Sequence, residues 1–350
     1  MKIHIAENIN PANDYTELLA REYIRQGHMV LLGVQNFYYS NFVPDILHIQ
    51  WPEAIYRWRH TLELNKDGVR FFESRLKWFK KNGTKIVHTI HNLLPHHTTN
   101  VKYEKSIYQL IIDYSDILVH HGSASIDILD KTYANIKQKN NITCKHGPYD
   151  APSMDCSIAR NKYGIPWDAF VILNFGRQRP NKGETFIDKL FTQIDFPNKY
   201  LFTIGPRTVM NPGKVNRILS LLNERIRQRN LKKIKRVYRN FPPKEIPFIL
   251  NACDLVFLGH KSGLNSGVAS LAASYSKPVI IPDIGNIREQ VEDWMYEAYQ
   301  VNDMTDAVES IHKMIQRIND KGVMDNARWL EINRWEKHVN TIIEYVEKLQ

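Results

Sequence analysis

The stretch FVILNFGRQRPNKGE, residues 170–184, contains the pattern that decides the fold. An apolar run ends at Gly176, and the loop that follows carries Arg177, Arg179 and Lys182. This order predicts a buried strand, then a basic loop, then a helix. In open parallel sheets ligands bind beyond the carboxyl ends of the strands, and a helix N-terminus there favours anions. The loop is either a diphosphate-binding site or a solvated basic turn.

Strand-like runs and helical patterns alternate on both sides of this stretch. Before it, strands are predicted at 2–6, 29–34, 45–50, 84–90 and 116–121, and helices at 15–26, 67–82, 102–114 and 123–133. After it, a helix is predicted at 183–193, strands at 200–205, 234–239, 254–259 and 278–282, and helices at 213–229, after Pro243, from 266, at 303–319 and at 333–349. This alternation predicts the α/β class, with two doubly wound Rossmann-like domains in tandem.

The alternation pauses at HGPYDAPSMD, residues 146–155, which contains two prolines and one glycine. Turn-forming residues without periodicity indicate a linker. The predicted N-terminal domain therefore covers 1–150 and the C-terminal domain 151–332. The length of 350 residues agrees with two domains of about 100–200 residues each.

Composition narrows the class of protein. With 43% hydrophobic and 24% charged residues, the chain falls outside the disordered and coiled-coil classes. The 3 cysteines form no CxxC pair, which argues against a disulfide framework or a zinc ribbon and favours a reducing compartment. MKIHIAEN is not a signal-peptide pattern, and no apolar run approaches the ~18 residues of a membrane span. We expect a soluble or peripheral protein.

The net charge of +10 is concentrated in one segment. Between Arg207 and Glu245 there are 12 basic and 2 acidic residues, against 18 and 15 in residues 1–150. The segment is either a solvated helix face or a surface attracted to an anionic membrane. FFESRLKWFKK, 71–81, also mixes aromatic and basic residues as interfacial helices do. Because Tyr238 and Phe241 are the only stacking aromatics among the cations of the 207–245 segment, we expect no nucleic-acid partner.

A second motif is LGHKSGLNSGVASLAASYSKPVI, residues 258–280. Small residues precede a helix rich in alanine and serine, which is followed by a strand. Small side chains allow a phosphate to approach a helix start closely. The alternative is a helix that simply packs tightly on its sheet.

Together, and in this order, the two motifs resemble the C-terminal, nucleotide-sugar-binding domain of GT-B fold glycosyltransferases. GRQRPNKG matches the family's G-R-x4/5-K-G loop, and SGLNSGVASLAASYSKPVI matches its glycine-rich loop and small-residue helix ending in P-V-I. Supporting landmarks are RNKYGIP, FTIGP, FPPKEIPFILNACDLVFL and PDIGNIREQ. The resemblance covers residues 155–295, and extends more loosely to NPANDY, HIQWPE and HTIHNLLPHH in the first domain.

The resemblance implies a cleft between the domains, with the donor in the C-terminal domain and the acceptor in the N-terminal one. It also implies that a last helix, 333–350, crosses back onto the N-terminal domain. The donor-binding residues that it implies are Gly176, Arg177, Arg179, Lys182, Gly205, Glu245, His260, Lys261, Asn265, Ser266 and Gly267.

Retaining members of the family carry two glutamates eight positions apart in the glycine-rich segment, where this chain has Gly263 and Leu271. It is in this respect similar to bacterial exopolysaccharide and lipid-linked-saccharide transferases with a Ser-Gly loop, some of which invert. Inversion is a single displacement that needs one general base. The resemblance assigns this role to His91. The carboxylate alternatives are Asp14 and Glu53, both predicted in loops after strands of the first domain.

The histidines admit other roles. His88, His91, His96 and His97 lie close together in sequence, with His120 and His121 further on. Zinc ligation, a core or capping role, and an active-site His91 stay open from spacing alone. The sequence has no Asp-x-Asp pair of the kind that holds a metal-bridged diphosphate, so we expect no metal.

The resemblance implies transfer of a hexose from a nucleotide-diphosphate sugar, used as co-substrate without a bound cofactor. GDP-mannose is the first choice of donor and a UDP-sugar the second. The acceptor is expected to be a saccharide or polyprenyl-linked saccharide in surface polysaccharide synthesis, with the enzyme in the cytoplasm or at the inner face of the cell membrane. The alternatives are a non-catalytic nucleotide-sugar-binding partner and a sugar-nucleotide epimerase.

Overall fold

The chain forms two compact units, each built on one parallel sheet. The computed structural model describes residues 1–10, 13–58, 66–95, 98, 100–178, 184–207 and 233–349, without the side chains of 66–67 and 184–185. Unit 1 comprises Met1–Tyr149, Gly263–Asn265 and Leu330–Gln350. Unit 2 comprises Asp150–Ser262 and Ser266–Trp329.

The sheet of unit 1 has six strands in the order β2-β1-β3-β4-β5-β6, and every pair is parallel. The strands are β1 (Lys2–Ile5), β2 (Met29–Leu32), β3 (Ile46–Ile49), β4 (Lys85–Thr89), β5 (Ile117–His120) and β6 (Asn140–Thr143). The chain leaves β1 to one side for β2 and then returns to the other side for β3. The carboxyl ends of β1 and β3 therefore flank the switch point where such sheets bind ligands.

The helices of unit 1 cover the two faces of this sheet. They are α1 (Tyr15–Arg25), α2 (Val34–Tyr39), α3 (Pro52–Tyr56), α4 (Lys66–Lys81), α5 (Val101–Tyr114) and α6 (Ala124–Asp130), with a 3₁₀ turn at Ile136–Gln138.

The last helix of the chain is part of the unit 1 core. Trp335, Val339, Ile342 and Val346 are buried in the same cluster as Ile3 and other residues of the first strand and first helix. These four residues repeat at the spacing of one helix face, so the helix buries a continuous apolar stripe. The N-terminal sheet is thus covered in part by residues from the far end of the sequence.

The sheet of unit 2 also has six parallel strands, in the order β12-β11-β10-β7-β8-β9. The strands are β7 (Phe170–Phe175), β8 (Lys199–Ile204), β9 (Ile234–Val237), β10 (Leu255–Phe257), β11 (Val279–Pro282) and β12 (Tyr296–Tyr299). The helices are α7 (Cys156–Tyr163), α8 (Glu184–Gln193), α9 (Ile246–Asn251), α10 (Gly267–Ser274), α11 (Ile287–Val291) and α12 (Met304–Lys321). A 3₁₀ turn at Pro243–Glu245 precedes α9, and α13 (Ala327–Ile332) and α14 (Trp335–Glu347) end the chain.

The predicted fold class, two doubly wound α/β domains, is confirmed. The apolar runs predicted as strands all form strands, within one or two residues at either end. Two strands were not predicted, β6 and β12, and both lie at the edge of a sheet. Their sequences, NNIT and YEAY, lack an apolar run because an edge strand is partly solvated. The predicted basic helix at 213–229 lies outside the described residues.

Along the described parts of the chain, we find no helix with the length and apolarity that crossing a bilayer requires. All three cysteines are free thiols; Cys144 and Cys253 are buried and Cys156 is exposed.

We predict that Gly147→Ala destabilises unit 1. A Cβ at this position would overlap the indole ring of Trp335, which is buried and whose Nε1 donates to the Pro148 carbonyl at 2.8 Å. Overpacking of this kind costs about 1–3 kcal/mol of the free energy of unfolding, measurable by urea denaturation.

The double variant Gly147→Ala, Trp335→Leu is the matched control. Removing the indole makes room for the methyl group. The double variant should therefore lose less stability than the sum of the losses measured for Gly147→Ala and Trp335→Leu alone. Equal urea midpoints for Gly147→Ala and the wild type would contradict the proposed packing.

Candidate active site

In unit 1 the side chains at the carboxyl edge of the sheet pack around one aromatic ring. Tyr15, the first residue of α1, is 1% exposed and makes edge-to-face contacts with five surrounding rings within 4.8–5.8 Å. These rings belong to Trp51, His91, His121, His146 and Trp335. His338 lies at 6.4 Å from the same ring. Loops after β3, β4, β5 and β6 thus meet the last helix at Tyr15.

His91 follows β4 and is held in one orientation. Its ring stacks on Trp51 at 4.0 Å between centroids, and its Nε2–H donates to Gln50 Oε1 at 2.9 Å. Gln50 follows β3, so two neighbouring strand ends fix the imidazole. With the proton on Nε2, the lone pair is on Nδ1, which receives no hydrogen bond from any described residue.

The histidines of this cluster are uncharged at neutral pH. Burial lowers the pKa of His91 well below its usual value, and the imidazoles of His121 and His146 lower it further. Burial likewise lowers the pKa of His146 and of His338 to about 4. A neutral His91 can accept a proton, which is the property that a general base needs.

Two of these imidazoles have a buried nitrogen with no hydrogen-bond partner among the described residues. His121 Nδ1–H donates to the Cys144 carbonyl at 3.0 Å, and His338 Nδ1–H donates to the Lys145 carbonyl at 2.9 Å. Nε2 of both rings is left without a partner, as is the hydroxyl of Tyr15. The cluster therefore contains unused hydrogen-bonding capacity close to His91.

The two carboxylate alternatives occupy different positions. Glu53 lies in the first turn of α3, not in a loop as predicted, and accepts a hydrogen bond from the Tyr108 hydroxyl at 2.8 Å. Burial raises the pKa of Glu53. Asp14 precedes α1 without capping it through its side chain. Burial raises the pKa of Tyr149, and the nearby Asp14 carboxylate raises it further.

A third carboxyl group, Glu7, was not predicted. It follows β1, is 7% exposed and accepts a hydrogen bond from Thr16 Oγ1 at 3.1 Å. Burial raises the pKa of Glu7 to about 8, with a smaller contribution from the charge of Glu53. Glu7 is therefore mostly protonated at pH 7 and is a poor base. Glu7 directly follows the predicted strand KIHIA, and this position at the carboxyl end of a strand could have identified it as a candidate site residue.

Asn265 is the residue of the glycine-rich segment that lies in unit 1 and contacts the His91 loop. Its Nδ2 donates to the carbonyls of Ile90 and His91, at 3.1 Å each. The preceding Leu264 is buried in a cluster with Ile90 and Tyr108. The amide of Asn265 thus fixes the main chain that carries the candidate base.

In unit 2, the ends of β7 and β8 approach each other so closely that both need glycine. Gly176 and Gly205 have positive φ angles of 103° and 146°, and a Cβ on Gly205 would overlap the Gly176 carbonyl. Gly176 N donates to the Ile204 carbonyl at 3.0 Å, and Gln178 N to the Pro206 carbonyl at 2.9 Å. Between them lies Arg177, whose side chain is exposed. The guanidinium is therefore accessible at the end of the first strand of this sheet.

The start of α10 has the features of an anion site. Ser266 stands at the N-cap position but its side chain does not cap the helix. The hydroxyl is buried, with 4% of the residue exposed, and has no hydrogen-bond partner among the described residues. The first N–H groups of a helix need acceptors and carry a partial positive charge. Gly267, exposed at the first helical position, puts no side chain in the way of such an acceptor.

Gln290 of α11 holds this helix start in place. Its Oε1 accepts a hydrogen bond from Ser266 N at 2.9 Å, and its Nε2 donates to Ser270 Oγ at 3.5 Å. The side chain is 1% exposed. This residue was not predicted, because its role depends on a contact between helices and not on a motif.

Glu245 has a carboxylate that is fully engaged inside unit 2. Both of its oxygens accept hydrogen bonds from Arg239, at 2.7 and 2.8 Å, and Lys162 lies 3.3 Å away. Hydrogen bonding to Arg239 lowers the pKa of Glu245. Glu245, which was predicted as a donor-binding residue, therefore joins the turn Pro243–Glu245 to α7 and to the residues after β9.

The remaining predicted residues fall into two groups. His260 is half-buried and Lys261 is exposed in the loop after β10, next to the glycine-rich segment. Arg179 and Lys182, like His96 and His97, lie outside the described residues. In the described parts of the chain no three His, Cys, Asp or Glu side chains are grouped as metal ligands. The expectation that no metal takes part stays a prediction.

Comparison with known proteins identifies relatives at low identity. No protein-family model matches the chain. A GDP-mannose:glycolipid 4-beta-D-mannosyltransferase of Xanthomonas campestris pv. campestris is 24% identical over 258 residues, which cover 68% of this chain and 61% of the relative. The protein of the same description from strain ATCC 33913 is 23% identical over 256 residues. The chain thus matches about three fifths of the length of these curated relatives.

Solved structures match over nearly the whole chain. Sucrose-phosphate synthase of Thermosynechococcus elongatus has a TM-score of 0.72 at 12% identity, covering 99% of this chain and 98% of its own. Anabaena HepE, solved in complex with UDP-glucose, has a TM-score of 0.67 at 14% identity with the same coverage. A glycosyltransferase of Rickettsia africae has a TM-score of 0.67 at 12% identity, covering 99% and 97%. The fold is GT-B, and the resemblance predicted from the sequence is confirmed.

We predict that the buried histidines make the protein sensitive to acid. Among the described residues of unit 1, burial lowers the pKa of nine histidines, which are His4, His28, His48, His88, His91, His120, His121, His146 and His338. Below the unfolded-state pKa of ~6.5 the unfolded chain binds protons that the folded chain does not. Stability is therefore complete above that pH and decreases as the pH falls towards 4, by up to about 1.4 kcal/mol per pH unit for each histidine.

Urea denaturation at several pH values between 7.5 and 4.5 measures this slope. Glu7 has a raised pKa and acts in the opposite direction, because its contribution to the free energy of unfolding is lost as pH rises through about 8. As a single group, it offsets only part of the effect of the histidines. His88→Gln should reduce the slope by up to one proton. A free energy of unfolding that stays constant from pH 7 to 5 would rule out the neutral buried imidazoles.

Proposed function

We propose that the chain is a glycosyltransferase that moves a hexose from a nucleotide-diphosphate sugar to a saccharide or glycolipid acceptor. The observation that carries the proposal is the uncapped start of α10, where the buried Ser266 hydroxyl has no partner among the described residues. Such a group needs a polar ligand, and beside helix N–H groups an anionic oxygen is the best match. We assign the donor diphosphate to this place.

GDP-mannose is the donor that we favour. The curated relatives are named as GDP-mannose-dependent glycolipid mannosyltransferases, which supports both this donor and a glycolipid acceptor. The HepE complexes contain UDP and UDP-glucose, so a UDP-sugar is the second choice. A lipid-linked acceptor would bring the enzyme to the surface of a membrane, on the cytoplasmic side where nucleotide sugars are made.

We further propose that transfer proceeds by a single displacement with inversion. The acceptor hydroxyl oxygen attacks the anomeric carbon while the bond from that carbon to the diphosphate oxygen breaks. His91 Nδ1 takes the proton of the hydroxyl, and the nucleoside diphosphate leaves with the bonding electron pair. Arg177, the Ser266 hydroxyl and the N–H groups at the start of α10 would stabilise the negative charge of the leaving group. The residues at the two positions of the retaining glutamates, Gly263 and Leu271, supply no carboxylate.

The first test is a thermal-shift panel of GDP-mannose, GDP, UDP-glucose and UDP with the whole chain. A ligand present at 100 times its dissociation constant stabilises the folded state by about 2.7 kcal/mol. We expect the guanosine ligands to raise the melting temperature most. A response to the uridine ligands alone would reassign the donor, and no response to any nucleotide would contradict the proposed function.

The Ser266→Ala variant should change stability and donor affinity in opposite directions. Removing a buried hydroxyl without a partner should leave the free protein as stable as the wild type or more so. Loss of its hydrogen bond to the diphosphate should weaken donor binding about fivefold, or ~1 kcal/mol.

Ser274→Ala is the matched control, because Ser274 Oγ already donates to the Ser270 carbonyl at 2.8 Å in the same helix. This variant should leave donor affinity unchanged. If Ser266→Ala lowers stability and leaves the donor affinity measured by calorimetry as in the wild type, the assignment of the diphosphate is wrong.

His91→Ala should spare donor affinity and reduce the turnover number by about 10²–10⁴, the contribution of a general base. Because burial lowers the pKa of His91, the wild-type rate should stay constant from pH 8 to below 6.5 and fall only at lower pH. Stopped assays with the donor at saturation measure both quantities. Turnover within a few-fold of wild type would assign the base to another residue, with Glu53 and Asp14 tested next.

A further inference from the structure

Four aromatic side chains form a surface cluster in unit 1, which we call the aromatic patch. It consists of Tyr38 and Tyr39 at the end of α2, Trp58 after α3 and Phe71 of α4. Tyr38 stacks on Phe71 at 5.1 Å and on Trp58 at 6.0 Å, with interplanar angles of 19° and 15°. Tyr39 lies within 6.4 Å of the same two rings. Tyr39 is 56% exposed and Phe71 43% exposed.

The patch is held in place by the elements beneath it. The Tyr38 hydroxyl donates to the Ile55 carbonyl at 3.0 Å, which joins α2 to α3. Arg75 of α4 donates to the carbonyls of Phe37 and Ser40 at 2.7 and 2.9 Å, which joins α4 to the end of α2. Three helices are thus fastened to one another directly below the exposed rings, and the patch is preformed.

The buried layer below the patch consists of phenylalanine rings, and Tyr38 and Trp58 pack against this layer from outside. Phe37, Phe72 and Phe79 are fully buried and pack on one another at 5.4–5.5 Å. The patch rings lie outside this layer, so folding does not require their exposed faces. Adjacent exposed aromatic rings on a soluble protein indicate a surface that is covered in use.

Three of the cations of α4 form a row beside the patch, and one of them, Lys77, also pairs with Glu73 at 2.7 Å. Arg70, Lys77 and Lys81 are exposed and separated by 7 and 4 residues. At about 100° per residue, they fall within about 40° of one another around the helix axis. Phe71 and Trp78 fall about 90° from this row, with the exposed Ser74 between the two faces. A flat partner surface that contacts the helix along Ser74 can therefore touch the aromatic face and the cationic face of α4 at the same time.

We propose that the aromatic patch and this row of cations bind the surface of an anionic lipid bilayer. Tyrosine and tryptophan rings are suited to the headgroup region, where one end is apolar and the other hydrated. Lysine and arginine beside them are attracted by anionic headgroups. A bilayer fits the side-by-side arrangement because its charged and apolar layers are themselves adjacent. The proposal does not depend on the transferase activity.

The test is co-sedimentation of the whole chain with vesicles of equal parts phosphatidylglycerol and phosphatidylcholine, compared with pure phosphatidylcholine. We expect binding to the anionic vesicles, weakened by salt. The double variant Tyr39→Ser, Phe71→Ser should bind about tenfold more weakly, because two rings no longer enter the interface. Arg70→Gln should bind about fivefold more weakly.

Two matched controls come from unit 2. Among the large hydrophobic residues that the structure describes, Trp167 is the most exposed, at 83%, and the Lys313 side chain is 61% exposed. Trp167→Ser and Lys313→Gln should bind vesicles as the wild type does. If they lose as much affinity as the patch variants, or if the patch variants lose none, the proposed surface is wrong.

A second readout does not require the double variant to fold. Brominated lipids should quench the tryptophan fluorescence of the wild type on binding, and the quenching should decrease in Trp58→Phe. Quenching that is the same in both would overturn the proposal. The proposal would also be overturned if the wild type did not bind vesicles but formed dimers in solution, and if Phe71→Ser dissociated these dimers. The patch would then be an interface between copies of the chain.

Discussion

The exclusion of water around the Tyr15 ring is the constraint on which the candidate site of unit 1 depends. The imidazoles and indoles that surround this ring exclude solvent from the ring itself, and an imidazolium ion packed against it would lose part of its hydration. His91 is therefore a neutral base with its proton on the nitrogen that faces Gln50. The same loss of solvent keeps the carboxyl group of Glu7 protonated. Burial thus keeps both these histidines and this glutamate uncharged at neutral pH.

The candidate site of unit 2 is built on a different principle. Its shape comes from the main chain: Gly205 can pass the Gly176 carbonyl only because it has no side chain, and α10 begins without a cap. Side chains serve mainly to hold these loops, as Gln290 does through the amide of Ser266. A site made of fixed N–H groups cannot be altered by rotating a side chain, which suits a part of the donor that is common to all nucleotide sugars.

The two sites explain which features could be predicted from the sequence. Strands at the centre of each sheet were predicted because buried strands are continuous apolar runs, whereas NNIT and YEAY at the edges carry no such signal. Arg177 and Ser266 were predicted as donor-binding residues because their loops, with recognisable glycines and small residues, resemble those of the family, and this role stays a prediction. Gln50 and Gln290 were not found, because each acts through one hydrogen bond to a residue far away in sequence. The position of the proton on His91 likewise depends on a partner that no spacing rule connects with it.

The place of the last helix has a consequence for biosynthesis. Trp335, Val339 and Ile342 complete a core whose other members, such as Ile3 and Tyr15, leave the ribosome first. At about 5–20 residues per second, the first 149 residues wait roughly 10–40 s for these side chains. During that time part of the first sheet is uncovered, while unit 2 is already being synthesised. While unit 2 is being synthesised, the nascent chain therefore presents apolar surface to chaperones, and unit 1 can complete its core only after unit 2 has been translated.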